Sequence, residues 1–119
     1  MISKELISEV LDIDIPDYIG LVCESKYDNN IKQSLLINYA DGSEPILINI
    51  YELAYKCKEW LLKKGFTFKM EFSKKKVSLM FYGDIVKPYN VADTEPEAIF
   101  KACEWLLNER INNENTRKN

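Results

Sequence analysis

Histidine is absent from this 119-residue chain. Its absence removes the commonest zinc ligand, the commonest general base and any Ser-His or Cys-His nucleophile pair. Glycine is scarce, at four residues. No G-x-x-x-x-G-K-[ST], G-x-G-x-x-G or G-x-S-x-G phrase occurs, and a phosphate-cradling loop is hard to build from so few. Three cysteines, Cys23, Cys57 and Cys103, are an odd number without C-x-x-C spacing, so they read as small buried hydrophobes rather than a disulfide or metal framework. No run approaches the roughly 20 apolar residues of a membrane helix, and the opening MISKELISEV lacks the apolar stretch of a secretory signal. The expectation from these absences is a cytoplasmic chain with no cofactor, no metal and no catalysis.

What is present describes an ordinary globular domain. The apolar fraction is 46% and the aromatic fraction 12%, enough for an independent core at this length. Residues 1–111 read as one domain and the polar stretch 112–119 as a disordered tail. The net charge of −3 hides a polarity along the chain. Residues 1–55 hold ten acids and three bases, whereas residues 56–76 hold eight lysines and two acids. Such a run is either a partner surface or a solvated face.

The stretch Asn49 to Gly65, NIYELAYKCKEWLLKKG, carries a helix start, a buried face and a helix stop. Asn49 and Glu52 form a capping-box pattern, and Leu53, Ala54, Cys57, Trp60 and Leu61 share one stripe. Glu52 with Lys56, and Glu59 with Lys63, are i,i+4 pairs on the outward side. Gly65 supplies the left-handed stop.

Ahead of it, Ser3–Leu11 reads as a short helix, Pro16 forces an extended link, and Tyr18–Glu24 with Ile31–Ala40 form a hairpin about the polar turn Lys26–Asn30. Leu35, Ile37 and Tyr39 share a face, Asp41-Gly42 marks a turn, and Pro45–Ile48 reads as an edge strand. After Gly65, Phe66, Phe68, Met70 and Phe72 alternate with Thr67, Lys69 and Glu71, and beyond the Ser73–Lys76 turn Val77, Leu79 and Phe81 continue the buried face. One more short strand is expected within Ile85–Ala92. Thr94 to Glu97 then opens a final helix with a capping box and Pro96 in its first turn, its apolar side being Ala98, Ile99, Ala102, Cys103, Trp105 and Leu106.

The fold expected is α+β in the order α-β-β-(β)-α-β-β-(β)-α. One antiparallel sheet of two hairpins is covered by helices, as a two-layer or an α/β/α sandwich. A shift of 45 residues superposes Asn49–Leu62 on Thr94–Leu107, with Glu59-Trp60-Leu61-Leu62 over Glu104-Trp105-Leu106-Leu107. Only the helix repeats; the strands before each copy do not match in sequence.

The phrases INIYELAYKCKEWLLKKGF and ADTEPEAIFKACEWLL resemble the small phage and prophage proteins grouped as the phage ABA sandwich domain, over roughly residues 46 to 110. The resemblance is carried by Lys64-Gly65-Phe66 and by the Asp93–Ile99 start, where related proteins carry a Thr-x-Pro-x-Ala-Ile phrase. These are helix-entry and packing signatures. They imply the fold and a phage or prophage accessory role, and they carry no site residue across.

The function expected is therefore non-catalytic macromolecular binding to a host or phage protein, with no membrane partner and with homodimerisation open. Tyr55, Tyr82 and Tyr89 are candidate patch residues. The alternative is single-stranded nucleic-acid binding through the hairpin at residues 66–82, with Lys69, Lys74, Lys75 and Lys76 on phosphates and Tyr82 stacking on a base. The plainer use of those lysines is to keep a hairpin soluble. Asp12, Asp14 and Asp17 lack the spacing of a calcium loop. The carboxylate pairs Asp12/Asp14 and Glu95/Glu97 fall in a link and a helix cap, not in a catalytic dyad.

Overall fold

A computed structural model of the chain describes residues 2–25, 31–82 and 90–117. Along them run α1 (Lys4–Leu11), β1 (Tyr18–Ser25), β2 (Ile31–Asn38), β3 (Ile46–Asn49), α2 (Ile50–Lys63), β4 (Phe68–Phe72), β5 (Val77–Phe81), β6 (Asn90–Ala92) and α3 (Glu95–Arg117). The order is the expected α+β one, with both bracketed strands present. The Lys26–Asn30 turn, Gly83 to Pro88 and Tyr89 lie outside the described residues.

Helix α2 starts where Asn49 is still extended and its side chain accepts from the Tyr51 N–H at 2.9 Å. Among the described residues Glu52 makes no return bond, so the cap is single. The stop is a Schellman motif: Phe66 N–H donates to Leu61 O and Gly65 N–H to Leu62 O, both at 3.0 Å, with Gly65 at φ +88°. Between these ends Ile50, Leu53, Ala54, Cys57, Trp60 and Leu61 are buried, the predicted stripe with one residue added. The expected Glu52–Lys56 and Glu59–Lys63 pairs are not formed. The ion pairs among the described residues include Lys58–Glu95, Lys69–Glu71 and Lys76–Asp93.

Helix α3 opens as its sequence requires, Thr94 Oγ1 accepting from Glu97 N–H at 3.4 Å. Ala98, Ile99, Ala102, Cys103 and Leu106 are buried as expected, and so are Phe100 and Leu107. Trp105 is half-buried over Phe81, with ring centroids 6.3 Å apart. The helix continues to Arg117, through the polar 112–117 stretch, which contains no glycine or proline to stop it.

The strands form two antiparallel sheets, β1-β2-β3 and β4-β5-β6, where one shared sheet was expected. The two tryptophan helices therefore do not share a sheet. Helix α2 packs on β3 and β2, α3 packs on β6 and β5, and the two helices pack on each other. The physical reason is local: each third strand runs within a few residues into its helix, so the chain leaves the sheet layer before a further strand can pair. Helix α1 lies against α2 and α3, with Ile2, Leu6 and Ile7 buried and the Ser3 N–H donating to Glu104 Oε1 at 2.6 Å. Overall extents of 47 × 43 × 19 Å describe a slab one helix layer on one sheet layer thick.

The halves β1-β2-β3-α2 and β4-β5-β6-α3 are thus the same unit, a meander followed by the helix that covers it. Leu35, Ile37 and Ile48 are the buried residues of the first sheet and Val77, Leu79 and Ala92 those of the second. A fixed shift fails to reveal the strands because β1 and β2 are eight residues each and β4 and β5 five. Phe72, expected inside, is 65% exposed, since it ends β4 beside the turn where Ser73 N–H bonds Lys76 O.

Cys57 and Cys103 are buried, and the Cys103 thiol donates to Cys57 O at 3.8 Å. The contact between these two cysteines and desolvation hold the Cys103 thiol well above its ordinary range. Cys23, expected inside, is exposed on β1. Titration of native protein with a thiol reagent is expected to modify one cysteine rapidly, Cys23, and the other two only on unfolding. Gly65→Ala is expected to cost about 1 kcal/mol in denaturant unfolding, because an added Cβ meets nothing within 4 Å and only the left-handed backbone is strained. Leu61→Ala, which empties a fully buried position, is expected to cost about 2–5 kcal/mol.

Candidate functional site

The predicted lysine hairpin is present, and the structure divides its residues. Residues paired across β4 and β5 share a face, so Lys69 and Glu71 stand with Met80 and Ser78 on the side away from α3. Tyr82 follows at the end of β5, exposed, its N–H donating to Thr67 O at 3.0 Å. Lys69 binds Glu71 at 2.9 Å, and that hydrogen bond, with the negative charge, raises the lysine above its ordinary value. Lys76 binds Asp93, which lies just before α3. Lys74 and Lys75, in the turn, have no partner among the described residues. Two of the four lysines are therefore neutralised within the chain, and Tyr82 sits at the opposite end of the strand pair from the two free ones.

The acids singled out in sequence do not converge either. Asp17 Oδ2 accepts the Ala40 N–H at 2.7 Å, while Asp12 and Asp14 border a second depression with Asp41 and Glu44, beside Tyr39. The Tyr39 hydroxyl donates to Asp14 O at 2.6 Å. Desolvation, and then Asp14, Asp17 and Asp41, hold that phenol above its ordinary value. No trio of His, Cys, Asp or Glu among the described residues is placed to hold a metal ion. Glu95 lies 3.6 Å from Lys58 and Glu97 is exposed at the start of α3, so that pair serves the helix end.

A cleft of about 700 Å³ lies where the two repeat units meet. Its walls come from three places. Leu21 stands on the edge strand β1 opposite Leu35, and Gln33 lies one residue beyond the Ser34–Ile37 segment that pairs with β3. Ile50 and Tyr51 open α2. Thr94, Pro96, Glu97, Phe100, Lys101 and Glu104 are the first turns of α3. The floor is apolar, with Ile50, Pro96 and Phe100 buried, while Leu21 is 43% and Tyr51 66% exposed at its edges. Lys101 Nζ donates to Val91 O at 3.1 Å and Glu104 accepts from Ser3 N–H, so two of the polar groups are fixed by the chain itself. The arrangement offers apolar area within a polar rim, which suits binding.

None of the residues that make this cleft was a binding candidate in sequence; Thr94, Pro96 and Glu97 were singled out there only as a helix start. Phe100 was legible in one way: the 45-residue shift sets it over Tyr55. Leu21 was not, because its exposure follows from tertiary packing: α2 lies on β3 and β2 and leaves this residue of β1 uncovered. Among the described residues no helix is long and apolar enough to cross a membrane. No family model, no curated protein and no solved structure matches the chain.

The Lys76–Asp93 contact, which joins the lysine turn to the start of α3, is testable by titration. The Lys76 hydrogen bond, with its charge, holds the Asp93 carboxyl below its ordinary value. Because the folded value is depressed, its contribution to stability is present above the unfolded value and is lost as pH falls through the folded one. Carboxyl NMR titration is expected to place Asp93 below an ordinary aspartate, and Lys76→Gln is expected to move it upward.

Proposed function

We propose that this chain is a non-catalytic binding module of phage or prophage accessory type, which takes a segment of another protein into the cleft between α3 and the first hairpin. The phage-type context is supported by the resemblance of the α2 and α3 phrases. The binding reading is supported chiefly by one observation: Leu21 and Tyr51 stand exposed around a floor of Ile50, Pro96 and Phe100. Apolar side chains held open by a rigid scaffold are the pattern of a partner site. A chain without histidine and with its fixed acids spent on backbone donors gains little chemistry from such a cleft, and much contact area.

Single-stranded nucleic-acid binding is the second reading, favoured by the unpartnered Lys74 and Lys75 and by the exposed Tyr82. It is the weaker because Lys69 and Lys76 are held by Glu71 and Asp93. A photoreactive phenylalanine analogue placed at Leu21 or at Lys74, in bacterial cells, separates them. Protein adducts from position 21 and none from position 74 are the expected outcome. Nucleic-acid adducts from position 74 with none from position 21, or identical adducts from both, overturn the cleft reading.

A further inference from the structure

Two three-stranded sheets have four outer edges, and among the described residues three of them are blunted. β3 is four residues long and follows Pro45, β6 is three residues long, and β4 carries the Lys69–Glu71 ion pair. The outer edge of β1 has none of these devices. It runs for eight residues, Tyr18–Ser25, without a lysine, arginine or proline, and Glu24 is its one charged side chain. Its ladder is to β2 alone, and no described backbone or side-chain group bonds to its other side. Alternate residues of an edge strand turn both N–H and C=O away from the partner strand, so about four residues of β1 present an unmet donor and acceptor.

An extended backbone is what completes such an edge. The cleft beside it dictates the side chains. Ile19, Leu21 and Cys23 stand on the sheet face that holds Leu35 and Ile37, yet Leu35 and Ile37 are fully buried while Leu21 is 43% exposed and Cys23 is exposed. The cover of α2 ends at β2, and the space beyond it opens on the first turns of α3. At that rim the Glu97 carboxylate makes no ion pair with a described residue, because Lys101, one turn on, donates to Val91 O instead. We infer that the partner segment enters as a fourth strand on the β1 edge of the first sheet, with apolar side chains at alternate positions facing the cleft and a basic one against Glu97. The inference rests on the cleft reading above and gives that cleft its class of occupant. A helical segment laid in the same space leaves the β1 donors and acceptors unmet.

Strand addition has a geometric signature. A strand beside β1 adjoins residues on both faces of the sheet, whereas a helix or a folded surface seated in the cleft meets the inward face only. The photoreactive phenylalanine analogue is therefore placed, in bacterial cells, at Leu21 on the cleft face and at Val22 on the opposite one, and the adducts are mapped by mass spectrometry. Glu24, exposed on the same face as Val22, provides a second outward position at which a large side chain leaves the fold intact. Adducts from position 21 and from position 22 or 24 to one partner segment are expected, with the attachment residue moving along that segment as the position moves along β1. Glu97→Lys is expected to lower the yield from position 21 about threefold. Adducts from position 21 with none from 22 and 24 overturn strand addition and leave the cleft reading standing. No protein adduct from position 21 overturns both, and a yield unchanged by E97K overturns the basic residue assigned to the segment.

Discussion

The structure depends on the packing of α2 against α3. Each helix lies on its own three-stranded sheet, and among the described residues the two sheets share no ladder, so the helix pair is the main apolar contact that holds the repeat units together. The fully buried Cys57 and Cys103 lie at this seam, close enough for a thiol to reach a backbone carbonyl. Small side chains there let the helix backbones approach, and larger ones above and below, Leu53, Leu61, Ile99 and Leu107, complete the core. Helix α1 closes the seam by resting on both helices and binding Glu104 through the Ser3 N–H.

This arrangement places the cleft. Two units joined through their helices leave a re-entrant angle between them, and the first hairpin, longer than the second, reaches out over it. Leu21 on β1 and Gln33 on β2 then line it with the first turns of α3, outside the cover that α2 gives β3 and the paired part of β2. The candidate site is a consequence of unequal hairpins on an otherwise repeated plan.

Much of the fold could be read from the residues. The Asn49 cap, the Gly65 stop and the Leu53–Leu61 stripe are set by interactions within one or two turns, and all three are in the structure. Strand alternation located β4 and β5, and Asp41-Gly42 located the turn ahead of β3. Where local signals fell short, a tertiary reason is visible. Phe72 obeys the alternation but ends its strand beside an exposed turn. The acid–base pairs at i,i+4 on α2 have the right spacing, yet two solvated side chains gain too little from meeting to be held there. The lysine run looked like a single basic surface, and folding set Glu71 and Asp93 beside two of its members.

From sequence alone came the α+β class, the order of nine elements, the absence of histidine and the repetition of the helix phrase. These rest on periodicity, caps and composition, which act over a few residues. Tertiary structure alone decided that the strands divide into two sheets, that the duplicated unit includes those strands, and that Leu21, Phe100 and Tyr51 share one cleft. Those facts depend on residues some 80 positions apart, and no local preference carries information over that distance.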